Sequence, residues 1–475
     1  MTKKDVWSLD EIAEYMDGPD GRDAVELFGG KAVSLVRMQR NGLKVPAALV
    51  IPARVTPPSY KTLGNLVNRL DEMTQGRWNN PDQLCLVSVR SGARVSMPGM
   101  MDTVLNVGLT RELYENHKFL SVNSSKEELA FIEKNLNSKY FPNGSTLSDE
   151  DKDSEKFEKY LDTIRKAGLK ALHDGRDFSL DPDKALQRAV KEVFESWHSD
   201  RAISYREMKE IPHSWGTACI VQEMVFGNRD NNSGTGVLFS RNPTTGESKI
   251  MGDYLPMGQG EAVVSGTAET LPIEEMPPDL YEQLVDATQK MEIEYRDMVD
   301  IEFTVESGEL YFLQCRPGKR TAEARVKILV EMIYDPVVSL TYADARAQLN
   351  ELSFKVVLEQ EEDLPDRDPD ACGHGAGIGI IEGTLTPVIP DEEGTWILVK
   401  EMTEPDDVAE MTKANAVVTV TGGVVSHAAI VCREMNIPAV VGCGHFQLLN
   451  DATDRKQATI NARTGEIWVH EPAAV

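Results

Sequence analysis

The chain has 475 residues, more than one compact core holds, so roughly two to four structural units are expected. It is 41% hydrophobic and 27% charged, with a net charge of −27. That balance argues against binding nucleic acid or an anionic membrane, and a bound polyphosphate would have to meet a local cluster of Arg, Lys and backbone N–H groups.

The N-terminus Met1-Thr-Lys-Lys4 lacks the apolar core of a signal peptide. No apolar run approaches about 18 residues, so a cytoplasmic protein without a membrane span is expected. The six cysteines form no C-x-x-C pair and no zinc spacing, which suits free thiols in a reducing compartment.

Gly29-Gly30-Lys31 leads into an amphipathic helix over 32–40. It is not a P-loop, which would need Gly at 25 and Ser or Thr at 32, where the chain has Val25 and Ala32. Residues 47–51 and 83–90 read as buried strands. The stretch that follows sets Arg90 and Arg94 four apart beside Ser91, Gly92 and Ser96. Glycine lets backbone approach an anion, and Arg can grip two phosphate oxygens at once. The plainer alternative is a surface loop whose arginines pair with carboxylates. Met97-Pro-Gly-Met-Met101 reads as a packed lid.

Residues 111–210 are rich in Lys, Glu, Asp and Leu and read as a mainly helical insertion with solvated faces. Strands and glycine turns return over 215–320, and 233–246 alone reads as a plain hairpin. Residues 300–316 read as a second hairpin around Ser307-Gly-Glu309. A three-residue loop with a bulge sets Glu302 opposite Gln314 and Asp300 opposite Arg316, all on one face. That row suits Mg²⁺ on a nucleotide, because Mg²⁺ takes oxygen ligands. The alternative is a solvated face with cross-strand pairs.

A helix over 321–334 and a connector over 335–370 follow, ending in an acidic stretch with two prolines. Gly373-His-Gly-Ala-Gly-Ile-Gly379 fails as a dinucleotide loop: its third glycine falls on Ile378, and the next residues read as strand. In the last block, Gly422-Gly423 opens onto a helix over 426–435 with Ser426 as its cap. A histidine near a helix start, as His427 is, tends to stay unprotonated. On its own, a lone histidine on an Ala-rich helix reads first as a packed core residue.

Taken together, these stretches resemble the pyruvate, phosphate dikinases, within the wider group that includes phosphoenolpyruvate synthases. The matches run in order through Gly29-Gly-Lys-Ala32, Val87 to Thr103, Ser233-Gly-Thr-Gly236, Gln259-Gly-Glu261, Asp300-Ile-Glu-Phe303, Leu313-Gln-Cys-Arg316 and Thr421 to His427. The Met-Pro-Gly-Met-Met run favours the dikinase branch, whereas residues 433–442 look more like the synthase branch. The resemblance implies an α/β (α+β) fold. An ATP-grasp nucleotide-binding domain would span 1–340, with the helical insertion at about 111–210. A helical connector and acidic linker (341–370) would lead to a swivelling β/β/α phosphohistidine domain over 371–475.

The resemblance also implies ATP and Mg²⁺ as cofactors. Lys31, Arg90 and Arg94 would hold phosphates, and Gln222 and Met224 would border the adenine. Glu261, Asp300 and Arg316 would line the site, and Glu302 and Gln314 would bind Mg²⁺. Arg90 and His427 would be catalytic, with His427 phosphorylated as ATP becomes AMP. The enzyme implied is a kinase-type phosphotransferase with inorganic phosphate as a partner. For the recipient, a separate pyruvate- or phosphoenolpyruvate-binding barrel subunit, a different acceptor and a truncated relic stand as alternatives. A phosphoenolpyruvate synthase-type half-enzyme, an ATP-grasp ligase and a non-catalytic ATP-binding regulatory module are the alternatives. Val425 stands where dikinases typically carry a regulatory threonine, so that mode of control is not expected.

Overall fold

Runs of Val, Ile and Leu build three sheets in a computed structural model of the chain. The structure describes residues 4–78, 80, 82–95, 97, 100–110, 113, 117, 181–260, 263, 270–349, 364–365, 367–404 and 407–470. Most of the expected insertion and linker, and Glu261, therefore lie outside the described residues.

The first sheet has β1 (Trp7–Ser8), β2 (Ala48–Ile51), β3 (Val87–Gly92), β4 (Thr103–Val107) and β5 (Ala218–Glu223), in the order β1-β2-β5-β3-β4. The second has β6 (Gly234–Phe239), β7 (Met251–Pro256), β8 (Leu271–Pro272), β9 (Val299–Glu306) and β10 (Glu309–Pro317), in the order β10-β9-β6-β7-β8. The third has β11 (Ala371–Cys372), β12 (His374–Gly375), β13 (Ile380–Thr386), β14 (Trp396–Lys400), β15 (Ala416–Thr419), β16 (Ala439–Val441), β17 (Gln457–Asn461) and β18 (Glu466–Val469). Its order is β11-β18-β17-β13-β14-β15-β16-β12, with β13 to β16 parallel.

The helices that cover these sheets are α1 (Leu9–Asp17), α2 (Ala24–Arg40), α3 (Tyr60–Met73), α4 (Pro182–Ser196), α5 (Asp200–Met208) and α6 (Pro278–Tyr295), then α7 (Ala322–Tyr334), α8 (Tyr342–Leu349), α9 (Val408–Met411), α10 (His427–Met435) and α11 (Gln447–Thr453). The two-residue strand period explains the layering. In β2, Leu49 and Ile51 join α3 and α4 on one face, while Ala48 and Val50 join α2 on the other. In the third sheet Leu398 and Val417 face α10, and Val399 and Val418 face α11.

α2 runs back to Ala24, further than the sequence pattern suggested, and kinks at Gly29 (φ 79°, ψ 161°). Only glycine adopts that backbone conformation routinely. A Cβ on Gly29 would lie 1.9 Å from the Gly92 carbonyl oxygen, so β3 and the kink meet backbone to backbone. The Gly30 N–H donates to the Ala93 carbonyl at 3.0 Å. Further along α2, the Ser34 hydroxyl accepts from the Cys315 N–H at 3.0 Å and donates to the Cys315 carbonyl. The helix is thus fastened to both the first and the second sheet.

The β9–β10 hairpin reaches the expected register by another route. Glu302 pairs with Gln314 and Asp300 with Arg316, but Glu306 already pairs with Glu309. The loop is therefore two residues, Ser307 and Gly308, both at positive φ (51° and 84°). The extra residue is Leu313, bulged between Phe312 and Gln314.

The third sheet sits against the second. The Thr244 hydroxyl donates to the Gly375 carbonyl at 2.9 Å, Arg463 pairs with Glu323, and Val424 and Val425 enter the core formed by Phe239, Ile328 and Met332. Among the described residues no helix is long and apolar enough to cross a membrane, and all six cysteines are free.

Gly29→Ala tests the kink. It is expected to lower the unfolding free energy by at least about 2 kcal/mol in a urea melt, from backbone strain and the close contact together. A loss below about 0.5 kcal/mol would show that the kink tolerates a side chain.

Candidate functional site

α2, β3, β9 and β10 bring most of the expected site residues to one place. Arg90 donates to Glu302 Oε2 at 3.2 Å, to Gln222 Oε1 at 3.4 Å and to the bulged Leu313 carbonyl at 3.5 Å. Gln314 donates through Nε2 to Glu302 Oε1 at 2.7 Å. Arg316 grips Asp300 Oδ2 through Nε at 2.9 Å and NH2 at 2.8 Å.

Lys31 completes the group through its charge. Burial, then Arg90, lowers its ammonium pKa to about 7, partly opposed by Glu302 and reinforced by Arg316. Burial pushes Glu302 up, but Arg90, Arg316 and Lys31 outweigh it and hold the carboxyl below its usual range. Asp300 goes the other way: burial raises it despite Arg316.

Two acceptors in this cluster, Asp300 Oδ1 and Gln314 Oε1, are buried with no hydrogen-bond partner among the described residues. Buried acceptors are costly unless something satisfies them. Together with Glu302 they form an all-oxygen donor set of the kind Mg²⁺ prefers. No three His, Cys, Asp or Glu side chains converge among the described residues, so a metal here would need further oxygens from a phosphate.

The other expected residues fall elsewhere or bind differently. Arg94 pairs with Glu26 at 3.3 Å and stacks over Trp215 at 4.9 Å, apart from the Arg90 network. The Gln222 side chain is buried, spanning Arg90 and the Pro46 carbonyl. Met224 follows β5, where its sulfur accepts the Asn106 N–H at 3.1 Å. Of the lid, Met100 is buried, and Met97 and Met101 partly so, against Ala428, Ala429 and Val431 of α10. Asp102 ties it to Arg201 of α5.

His427 is the first residue of α10, and the capping Ser426 hydroxyl accepts the Ala429 N–H at 3.4 Å. Its Nδ1 lies 2.9 Å from Thr403 Oγ1, and its Nε2 is buried with no partner among the described residues. With Nδ1–H donating to Thr403, the lone pair is on Nε2. Burial lowers the imidazole pKa, and Asp407 opposes this in part. Sequence reasoning did not find Thr403. It stands 24 residues from His427 and meets it only through the fold. Ser34, 281 residues from Cys315, was unreadable for the same reason.

Fold and site define a class: a nucleotide-binding ATP-grasp part joined to a mobile-domain part that carries a histidine. Residues 65–273 and 273–335 match the model for the pyruvate phosphate dikinase AMP/ATP-binding domain, and 392–465 match that for the PEP-utilising enzyme mobile domain. The chain belongs to the pyruvate, phosphate dikinase family. It is 35% identical over 471 residues to pyruvate, phosphate dikinase of Clostridium symbiosum, covering 90% of this chain and 53% of that one. The chloroplastic pyruvate, phosphate dikinase of Flaveria trinervia is 37% identical over 471 residues (90% and 49%). Pyruvate, phosphate dikinase of Rickettsia typhi is 33% identical over 479 residues (91% and 54%). The chain thus spans about half the length of these relatives.

The lowered His427 pKa has a sign that can be checked. The unfolded imidazole protonates near 6.5 and the folded one only at lower pH. The stability from this group is therefore full above 6.5 and is lost as pH falls through the folded pKa. A proton NMR titration should give a folded value below 6.5. His427→Asn should flatten that part of the stability–pH curve.

Proposed function

We propose that this chain carries out the ATP-consuming half of a dikinase reaction, in which ATP phosphorylates His427 with formation of AMP. His427 Nε2 attacks the β-phosphorus of ATP, and the bond from that phosphorus to the α-phosphate oxygen breaks. AMP leaves with that electron pair. The terminal phosphoryl group then passes to inorganic phosphate, giving pyrophosphate; transfer to water would be the synthase variant. His427 would finally deliver its phosphoryl group to pyruvate or another acceptor held by a barrel partner.

The observation that carries this reading is the pairing of two features: buried acceptors at Asp300 and Gln314 that lack a partner among the described residues, in the cluster that also holds Arg90, and a histidine at the start of α10 whose Nε2 lacks one too. Arg90, Arg316 and Lys31 would grip the phosphate oxygens, and anion binding would draw Lys31 to its protonated form near neutral pH. Glu302, Gln314 and Asp300 would hold Mg²⁺, which neutralises phosphate charge when bound. Thr403 fixes the His427 ring, and burial keeps it neutral with its lone pair available. We further assign two domains, 1–340 and 371–475, joined by a connector and acidic linker over 341–370 whose part around 360–370 would be the hinge.

ATP labelled at either the β or the γ phosphate tests this. Label should reach the protein stably from the β position, with AMP released, and His427→Asn should take up none. Stable labelling only from γ would overturn the AMP-forming route, and undiminished labelling of His427→Asn would overturn the nucleophile. Arg90→Gln should slow AMP formation by about 10²–10³-fold, as expected when one transition-state donor is removed.

A further inference from the structure

Where the third sheet meets the second lies a cavity of about 170 Å³. Asn242, Thr244 and Thr245 line it from the second sheet's side, and His374, Arg463 and Thr464 from the third's. Arg433 of α10 also lines it and is only 2% exposed.

Arg433 is incompletely satisfied there. Its NH1 donates to the Val424 carbonyl at 2.7 Å, and its guanidinium lies 5.5 Å from the centre of the Phe239 ring. Its Nε and NH2 are buried without a partner among the described residues. Asp253 and Asp300 act on it only through charge, and burial still lowers its pKa to about 10. A buried cation lacking hydrogen-bond partners is costly. Nε and NH2 together form the side edge of the guanidinium, the fork that holds two oxygens of a carboxylate or phosphate. A second cation, Arg463, lines the cavity while paired with Glu323, and Thr245 lines it too, whereas the Thr244 and Thr464 hydroxyls already donate to the Gly375 carbonyl and to Glu466.

We propose that this seam cavity is a binding site for a small tetrahedral oxyanion of the phosphate class, held by the Nε–NH2 fork of Arg433 with Arg463 at its mouth. The anion bridges groups from both sheets, so its binding fastens the histidine-bearing sheet to the nucleotide-binding one. Thr244, already joined to the Gly375 carbonyl across the seam, becomes part of the same clasp. The site uses none of the side chains of the Arg90 cluster, although Asp300 of that cluster acts on Arg433 through charge, and it does not depend on His427 being phosphorylated.

The test is titration of the full chain with inorganic phosphate, by calorimetry at constant ionic strength. Arg90→Gln should leave one phosphate site intact. On that background, Arg463→Gln or Thr464→Glu, both at exposed positions, should weaken it by about tenfold or more, a change of about 1.4 kcal/mol. Arg433→Lys keeps the charge but removes the fork and should weaken it at least as much. If that variant folds poorly, the two rim variants still decide. Phosphate should also slow hydrogen exchange at 242–245 and 373–375. Affinity unchanged in all three seam variants, binding abolished by Arg90→Gln alone, or exchange unaltered at both segments would each overturn the proposal.

Discussion

Backbone meets backbone where Gly29 of α2 approaches Gly92 of β3, and the rest of the site is arranged around that contact. It brings the kink of a helix against a strand end with no side chain between them. The Ser34–Cys315 clasp then fixes the same helix to the second sheet. Lys31 lies between these two fastenings, which is why it feels Arg90, Glu302 and Arg316 together. Three cations (Lys31, Arg90, Arg316) face two acids (Asp300, Glu302), leaving one positive charge in surplus when all are ionised. A chain of net charge −27 thus keeps a local region suited to phosphate, as its composition demanded of any polyphosphate binder.

Much of this was legible in the sequence, and the remainder was hidden for definable reasons. The facing of Glu302 with Gln314 follows from any hairpin whose paired numbers sum correctly. A three-residue loop and a two-residue loop with a bulge at Leu313 give the same pairing. Sequence could not choose between them, because a bulge is set by what lies against the strand. The helix start at Ser426 was readable, since capping is local. Thr403 and the Arg94–Trp215 stacking were not, since each joins residues from separate elements. Glu261 stands apart, outside the described residues.

The seam between the second and third sheets is polar around the buried Arg433 and apolar around Val424 and Val425. Val424 and Val425 are buried just before His427, and the lid methionines pack against α10 from the side of the first sheet. A side chain at 425 is thus enclosed by Phe239, Ile328 and Met332. Valine at that position suits these apolar neighbours, while its backbone N–H meets the Asp253 carboxylate.

α10 carries His427 at one end and Glu434 near the other. Glu434 Oε1 takes both the Tyr205 hydroxyl of α5 at 3.0 Å and the Lys319 ammonium beyond β10 at 3.1 Å. Two separate parts of the chain therefore hold one oxygen atom. Losing either leaves the other bond in altered surroundings, so the two are not independent. Any departure of α10 from this position must give up both contacts, so neither part of the chain is released from the helix on its own.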